Sequence, residues 1–231
     1  DEYGVEHMMW TLLDRAKISF IQSQMADKKL IIADGHHRYE TALAFREEMH
    51  GAKGSDRIPM TFFNMDSPGL TILPTHRVLS NLPSFDAGTL FDRASEFFDL
   101  SKGDRPTIGV FVRGELSHLQ LKPGLDLAAL MPDLSAKQRT LDVVVLHRLI
   151  LERCLGITED AVKKESYLTY LREAEAAMDA VRSGKAQVAF LLNPTRLDQM
   201  RDIAYEGNVM PQKSTDFYPK VLSGLTMYTL E

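Results

Sequence analysis

A single cysteine, Cys154, stands in 231 residues. That excludes an intrachain disulfide and any zinc site built on several thiolates, and makes a reducing cytoplasm the default compartment. No apolar run approaches the roughly 18 residues of a membrane span, and no signal peptide opens the chain. Internal repeats, low-complexity tracts and long blocks of one charge are absent as well. Positive charge is not in excess: 27 Lys and Arg stand against 32 Asp and Glu, a net of −5. This argues against a protein that coats DNA through its overall field, while a local cationic pocket stays compatible with it. With 44% hydrophobic and 26% charged residues, the composition is that of a soluble protein of one or two domains. At this size about 70% of the unfolded surface is buried, so the core needs neither metal nor disulfide. The chain opens on Asp1 rather than Met and enters a helical pattern at once; we read it as a piece whose upstream portion is absent.

Apolar residues from Val5 to Phe20 recur near helical spacing, which predicts an amphipathic helix over 4–24. Leu30 to Ala33 is a short continuous apolar run of the buried-strand type, ended by Asp34-Gly35. A helix over 36–49 follows, stopping before Gly51. Strands are predicted at 58–65 and 70–73, a helix at 87–98, and a hairpin at 107–112 and 116–121 around Arg113-Gly114-Glu115. Further helices are expected at 141–155, 173–182 and 196–205, with a buried strand at 187–192 and an irregular tail from Gly207. The one weak boundary lies near 81–85.

The stretch LIIADGHHRYETALAF sets a strand, a turn and a helix start in succession, so the unpaired N–H groups of the first helical turn lie at the strand's carboxyl end. Such a place favours anions. Gly35 permits positive φ and close approach of a ligand, while His36, His37 and Arg38 add donors of tunable or permanent charge. Cations in a first turn oppose the helix dipole by roughly 0.3–1 kcal/mol each, a sign that a bound phosphate would reverse. The competing structural reading makes Asp34 a helix cap and Arg38 a surface ion-pair partner. Zinc fits poorly, because the histidines are adjacent rather than four apart; Asp34 beside a phosphate would suit Mg²⁺ better.

His76-Arg77, leaving a short strand, forms a second anion-contact candidate, against an ordinary exposed loop. In the tail, Lys213 beside Ser214 and Thr215 suits phosphate, although the glycine-rich P-loop pattern is missing, and the alternative is a tail pinned by prolines and aromatics. His147-Arg148 within an apolar helix and Asn193-Pro194-Thr195 after the buried strand read as structural. Cys154 has no activating base beside it in sequence.

Taken in order, ADGHHRYETAL (33–43), LPTHR (73–77), LDVVVLH (141–147), LLNP (191–194) and MPQKSTDFYPK (210–220) resemble a bacterial and archaeal family defined as a domain of unknown function. The Asp-Gly-His-His-Arg core also resembles the ParB and sulfiredoxin superfamily, which includes nucleases, nucleotide-binding ParB proteins and free-serine kinases. The resemblance implies a turn that grips nucleotide phosphates. Gly35, His36, His37 and Arg38 would hold phosphate, and Asp34 would assist Mg²⁺ binding or proton transfer, with Asp34, His36 and His37 the catalytic candidates. It also implies a general-base glutamate from an upstream strand.

The resulting expectation is an α/β or α+β protein, a mixed sheet with flanking helices and a ParB/sulfiredoxin-like site. Residues 1–82 form the ParB-like segment, and 83–231 an α/β segment whose tail returns to the site. Phosphate contacts are expected from residues 35–38, His76, Arg77, Lys213, Ser214 and Thr215. The expected function is nucleotide or phosphate binding with phosphoryl transfer to a small hydroxyl acceptor such as free serine. The alternatives are a non-catalytic nucleotide sensor and a ParB-like nuclease or DNA-associated protein, the last disfavoured by net charge. A nucleotide is the expected partner, with homo-oligomerisation left open.

Overall fold

The computed structural model describes residues 4–101, 108–222, 224 and 226–229. Two compact units emerge, one of residues 72–216 and one of residues 1–71 with 217–231. Residues 72–82, read from sequence with the first segment, pack within the former. The chain crosses between units inside two short strands, β1 (Thr71–Leu73) and β8 (Asp216–Tyr218).

The 72–216 unit is organised by a six-stranded sheet. Its strands are β2 (His76–Leu79), β3 (Phe98–Ser101), β4 (Ile108–Val112), β5 (Glu115–Leu121), β6 (Leu168–Leu171) and β7 (Val188–Leu191), in the order β3-β5-β4-β7-β2-β6. Every pairing is antiparallel, so the α+β form of the expected fold class is the one realised. The β4–β5 hairpin closes through Arg113 and Gly114, both at positive φ (53° and 83°). That is the backbone a two-residue turn needs to match strand twist, and glycine supplies it without steric cost. Thr107, expected to open β4, lies outside the described residues.

Both sheet faces are covered, and the alternation of each strand shows it. Leu79, Val110, Val112, Val188 and Phe190 point into the main core, while Val78, Phe111 and Ala189 point into a second cluster with Ala177. The main core is filled by α3 (Ala87–Ala94) and by a long helix, α5, which begins at Asp142 and continues to Cys154 with wider, π-type hydrogen bonding. The short α4 (Leu127–Leu130) and α6 (Glu159–Lys163) flank it. The second face takes α7 (Ala174–Arg182), and α8 (Leu197–Tyr205) contributes Ile203 to the main core. Because both faces are dry, β2 and β4 are buried at every position. Sequence pattern alone missed β2, β3, β6 and β8, whose polar residues hide their strand character, and carried the helix of 87–94 on to Phe98, where β3 begins.

Among its described residues the other unit holds two helices, α1 (Arg15–Met25) and α2 (His36–Glu48), neither with a buried residue. Helix α1 starts later than the periodicity predicts, since Asp14 caps it by accepting from the Ala16 and Lys17 N–H groups at 2.9 and 3.2 Å. Residues 30–33 and 58–65, expected as strands, have no strand structure. An apolar run becomes a strand only beside a ladder partner, and none of the described residues of this unit pairs with them.

Substitution of a core side chain should expose the difference between the units. Leu149→Ala, at a fully buried position, is expected to cost about 2–5 kcal/mol in urea unfolding. Phe20→Ala, on a side chain 65% exposed, should stay within about 0.5 kcal/mol.

Candidate functional site

The Asp34–Arg38 turn takes its form from the backbone at Gly35. Gly35 occupies the N-cap of α2 at φ 86° and ψ 28°, and no side chain caps the helix. The three atoms nearest a Cβ placed there belong to the flexible Arg38 guanidinium, so the backbone angle, not crowding, is what asks for glycine. The Arg38 guanidinium donates to the Asp34 carboxylate at 2.9 Å, and Lys220 approaches the other oxygen at 3.8 Å. His37 Nδ1 lies 3.4 Å from Glu40, and the His37 carbonyl accepts from Thr41 at 2.7 Å. His36, His37 and Arg38 are all exposed.

The Asp34 carboxylate stands between Arg38 and Lys220, and no group of three metal-ligating side chains occurs among the described residues; a Mg²⁺ ion at Asp34 would take its other ligands from a bound phosphate and water.

Within the 72–216 unit a cavity of about 340 Å³ opens between four stretches far apart in sequence: 73–77, 141–143, 192–199 and Ser214. Arg77, on β2, is only 1% exposed. It donates to the carbonyl of Thr75 and, at 2.8 Å, to that of Lys213; its face lies over the Tyr170 ring at 5.3 Å. Its Nε has no hydrogen-bond partner, and burial pushes its pKa down to about 10. Ser214 is buried too, its hydroxyl donating to the Pro211 carbonyl at 2.5 Å and its own carbonyl accepting from Thr195 at 2.9 Å. Across the cavity Asn193 donates to Asp142 at 2.8 Å, and burial pushes the Asp142 carboxyl up despite that bond and nearby Arg196.

The sequence-predicted residues therefore fall in both units. Gly35, His36, His37 and Arg38 sit with Asp34 in one. His76, Arg77, Lys213, Ser214 and Thr215 sit in the other. His76-Arg77 is no exposed loop: the His76 ring accepts the Leu192 N–H at 3.1 Å, and burial followed by the Arg77 charge lowers its pKa. The Lys213 ammonium stands 3.8 Å from Glu165 and over the Tyr170 ring at 5.7 Å. Asp142, Asn193, Thr195 and Arg196 were not singled out as site residues in the sequence. Their signal was the occurrence of LDVVV and LLNP among the motifs, which local reading assigned to a helix and a cap. Cys154 is buried, which pushes its thiol up to about 11 and leaves it inert.

His147, on α5, has a buried Nε2 without a partner, and burial together with the charges of Arg77 and Arg148 pushes its pKa down to about 3. The unfolded chain, with an ordinary value of 6.5, takes up a proton there that the fold refuses. The stability tied to neutral His147 is thus whole above pH 6.5 and drains away as the pH falls toward 3. Between pH 7.5 and 4.5, His147→Leu should lose about 2 kcal/mol less unfolding free energy than the wild type in urea titrations. Equal losses would show that His147 is protonated in the fold.

No helix among the described residues is long and apolar enough to cross a membrane. Among solved structures, the chain is similar to a conserved hypothetical protein from Pyrococcus furiosus (16% identity, TM-score 0.46, covering 90% of this chain and 84% of that one). It is also similar to a free serine kinase in complex with AMP (13%, TM-score 0.48, 89% and 81%) and to a mutant free serine kinase in complex with ADP (14%, TM-score 0.47, 90% and 81%). No curated protein matches the sequence. Residues 1–177, which contain the Asp34–Arg38 turn, Arg77 and Asp142, match the family described as protein of unknown function, DUF1015, and the chain belongs to that family.

Proposed function

We propose that this protein binds a phosphate ester, a nucleotide by class, at the Asp34–Arg38 turn. The observation that carries the reading is the start of α2: an uncapped helix N-terminus behind a left-handed Gly35, with His36, His37 and Arg38 all facing solvent. Unsatisfied first-turn N–H groups and the positive end of the helix dipole favour an anion. Three cationic or ionisable side chains in that turn are unfavourable without one. The likeness of these five residues to the phosphate-gripping turn of the ParB and sulfiredoxin superfamily supports the same chemistry.

The reaction proposed at this site is phosphoryl transfer to a small hydroxyl acceptor, of which free serine is one. Its catalysis would rest on charge neutralisation by the turn and on orienting the acceptor, not on covalent chemistry by the protein. In this scheme Arg38 exchanges its Asp34 partner for phosphate oxygens. Asp34, released from that pair, is then the carboxylate nearest the phosphate and the candidate proton acceptor. A ParB-like nuclease is not favoured, because net charge −5 supplies no broad field for a polyanion.

Titration calorimetry with ADP and ATP tests the binding step. Arg38→Ala should weaken nucleotide binding at least about tenfold, the loss of a charge-assisted contact. Asp34→Asn, which frees Arg38 while keeping the side chain's shape, should bind at least as tightly as the wild type yet consume nucleotide more slowly with serine present. Affinities unchanged by Arg38→Ala, or no binding by the wild type, would overturn the reading.

A further inference from the structure

Three charged side chains line the cavity of the 72–216 unit, and each already has its charge answered. The Arg77 guanidinium is sealed at 1% exposure, with both Nη groups on main-chain carbonyls. Arg196 forks onto Asp198, its Nε and one Nη donating to the two carboxylate oxygens at 3.0 and 3.2 Å. Asp142 stands in the field of Arg196 and accepts from the Asn193 amide at 2.8 Å. A ligand bringing a full charge would therefore lose its hydration on entry and meet no free opposite charge.

What the wall does offer is hydrogen bonding. The bond from Asn193 is the only one that the Asp142 carboxylate receives among the described residues, so its second oxygen is a strong acceptor held half out of water. The Gln199 side-chain oxygen accepts from the Arg196 N–H at 3.1 Å, which leaves its amide N–H groups as donors. Thr75 adds a hydroxyl to the same lining. Donors and acceptors set side by side suit hydroxyl groups, each of which both donates and accepts. Leu73, Leu141, Val143 and Leu192 supply apolar wall for a carbon skeleton, and the volume of about 340 Å³ falls in the range of small-molecule sites. We infer that this cavity binds a neutral polyhydroxylated molecule of the sugar or polyol class, with adjacent hydroxyls on Asp142 and its carbon face on the leucine wall. The site asks nothing of Arg77 beyond its place in the wall, and it does not rest on the phosphate-binding turn.

Titration calorimetry on the full chain tests this with two sets of probes. Methyl riboside, which carries a vicinal diol, is compared with its 2-deoxy counterpart, which does not. Sorbitol is compared with gluconate and glucamine, which put a negative and a positive charge on the same skeleton. Methyl riboside or sorbitol should bind at millimolar concentration, equally in the wild type and in Arg38→Ala; binding by the first alone assigns a cyclic sugar, and by the second alone an acyclic polyol. Removing the 2-hydroxyl from a riboside that binds, or adding either charge to a sorbitol that binds, should weaken binding. Asp142→Asn, which keeps the shape of the side chain, should weaken binding of the neutral probe at least about tenfold. Gln199→Met, at a less buried position, provides a second check and should weaken it about threefold or more. ADP binding, which reports on the turn, is measured in the same Asp142→Asn chain, so that failure of either reading shows without the other. No binding of either neutral probe, tighter binding of gluconate or glucamine than of sorbitol, or an unchanged affinity in folded Asp142→Asn would each overturn the inference.

Discussion

Removing a guanidinium from water costs several kcal/mol unless hydrogen bonds and opposite charge replace its hydration. Arg77 is held at 1% exposure in the antiparallel sheet, between Tyr170 on β6 and Phe190 on β7. The replacement it receives comes from main-chain carbonyls at Thr75 and Lys213 and from an aromatic face. These contacts fix more than one side chain. The bond to Lys213 draws the stretch before β8 against β2, and Thr195 then holds the Ser214 carbonyl from the start of α8. The positive field that results keeps both His76 and His147 below their ordinary values, although burial is the larger cause for each. A local anomaly in charge thus adds to burial in lowering the pKa of two neighbours, and fixes the course of a loop.

Such a residue is tolerable only in a rigid setting, and the sheet provides it. With α5 on one face and α7 on the other, the central strands have no wet side on which Arg77 could escape. Its alternation with Leu79 directs it toward the face of α5, where His147 lies. The wider hydrogen bonding of α5 from Leu146 to Cys154 begins at this same point. Departures of that kind are rare and occur frequently at functional sites.

Local signals were the legible part of the sequence. The β4–β5 turn, the span of α2 and the ends of α7 and α8 follow from glycine positions and periodicity, which act over a few residues. What failed was whatever depends on a distant partner. Residues 30–33 have the composition of a buried strand without a ladder to join, whereas β2, with His76 and Arg77 in it, is a central strand because β6 and β7 lie on either side. The same division holds for the sites. Every component of the Asp34–Arg38 turn lies within five consecutive residues, so its geometry could be anticipated. The cavity around Arg77 is assembled from stretches more than a hundred residues apart, and a single sequence carries no direct sign that Asp142, Asn193 and Thr195 face one space.

The turn and the cavity hold their charges in opposite settings. At the turn every cation is solvent-exposed, so each contact is weakened by water and salt, and selectivity must come from several donors converging on a multiply charged group. Phosphate, with three oxygens and up to two charges, matches such a set. The two guanidiniums that line the cavity differ in the same way: Arg77 is sealed at 1% exposure and held by main-chain carbonyls, whereas Arg196 is exposed and paired with Asp198. A charge out of water is screened far less than one at the surface, so Arg77 adds to the lowering of the His76 and His147 pKa values without touching a carboxylate.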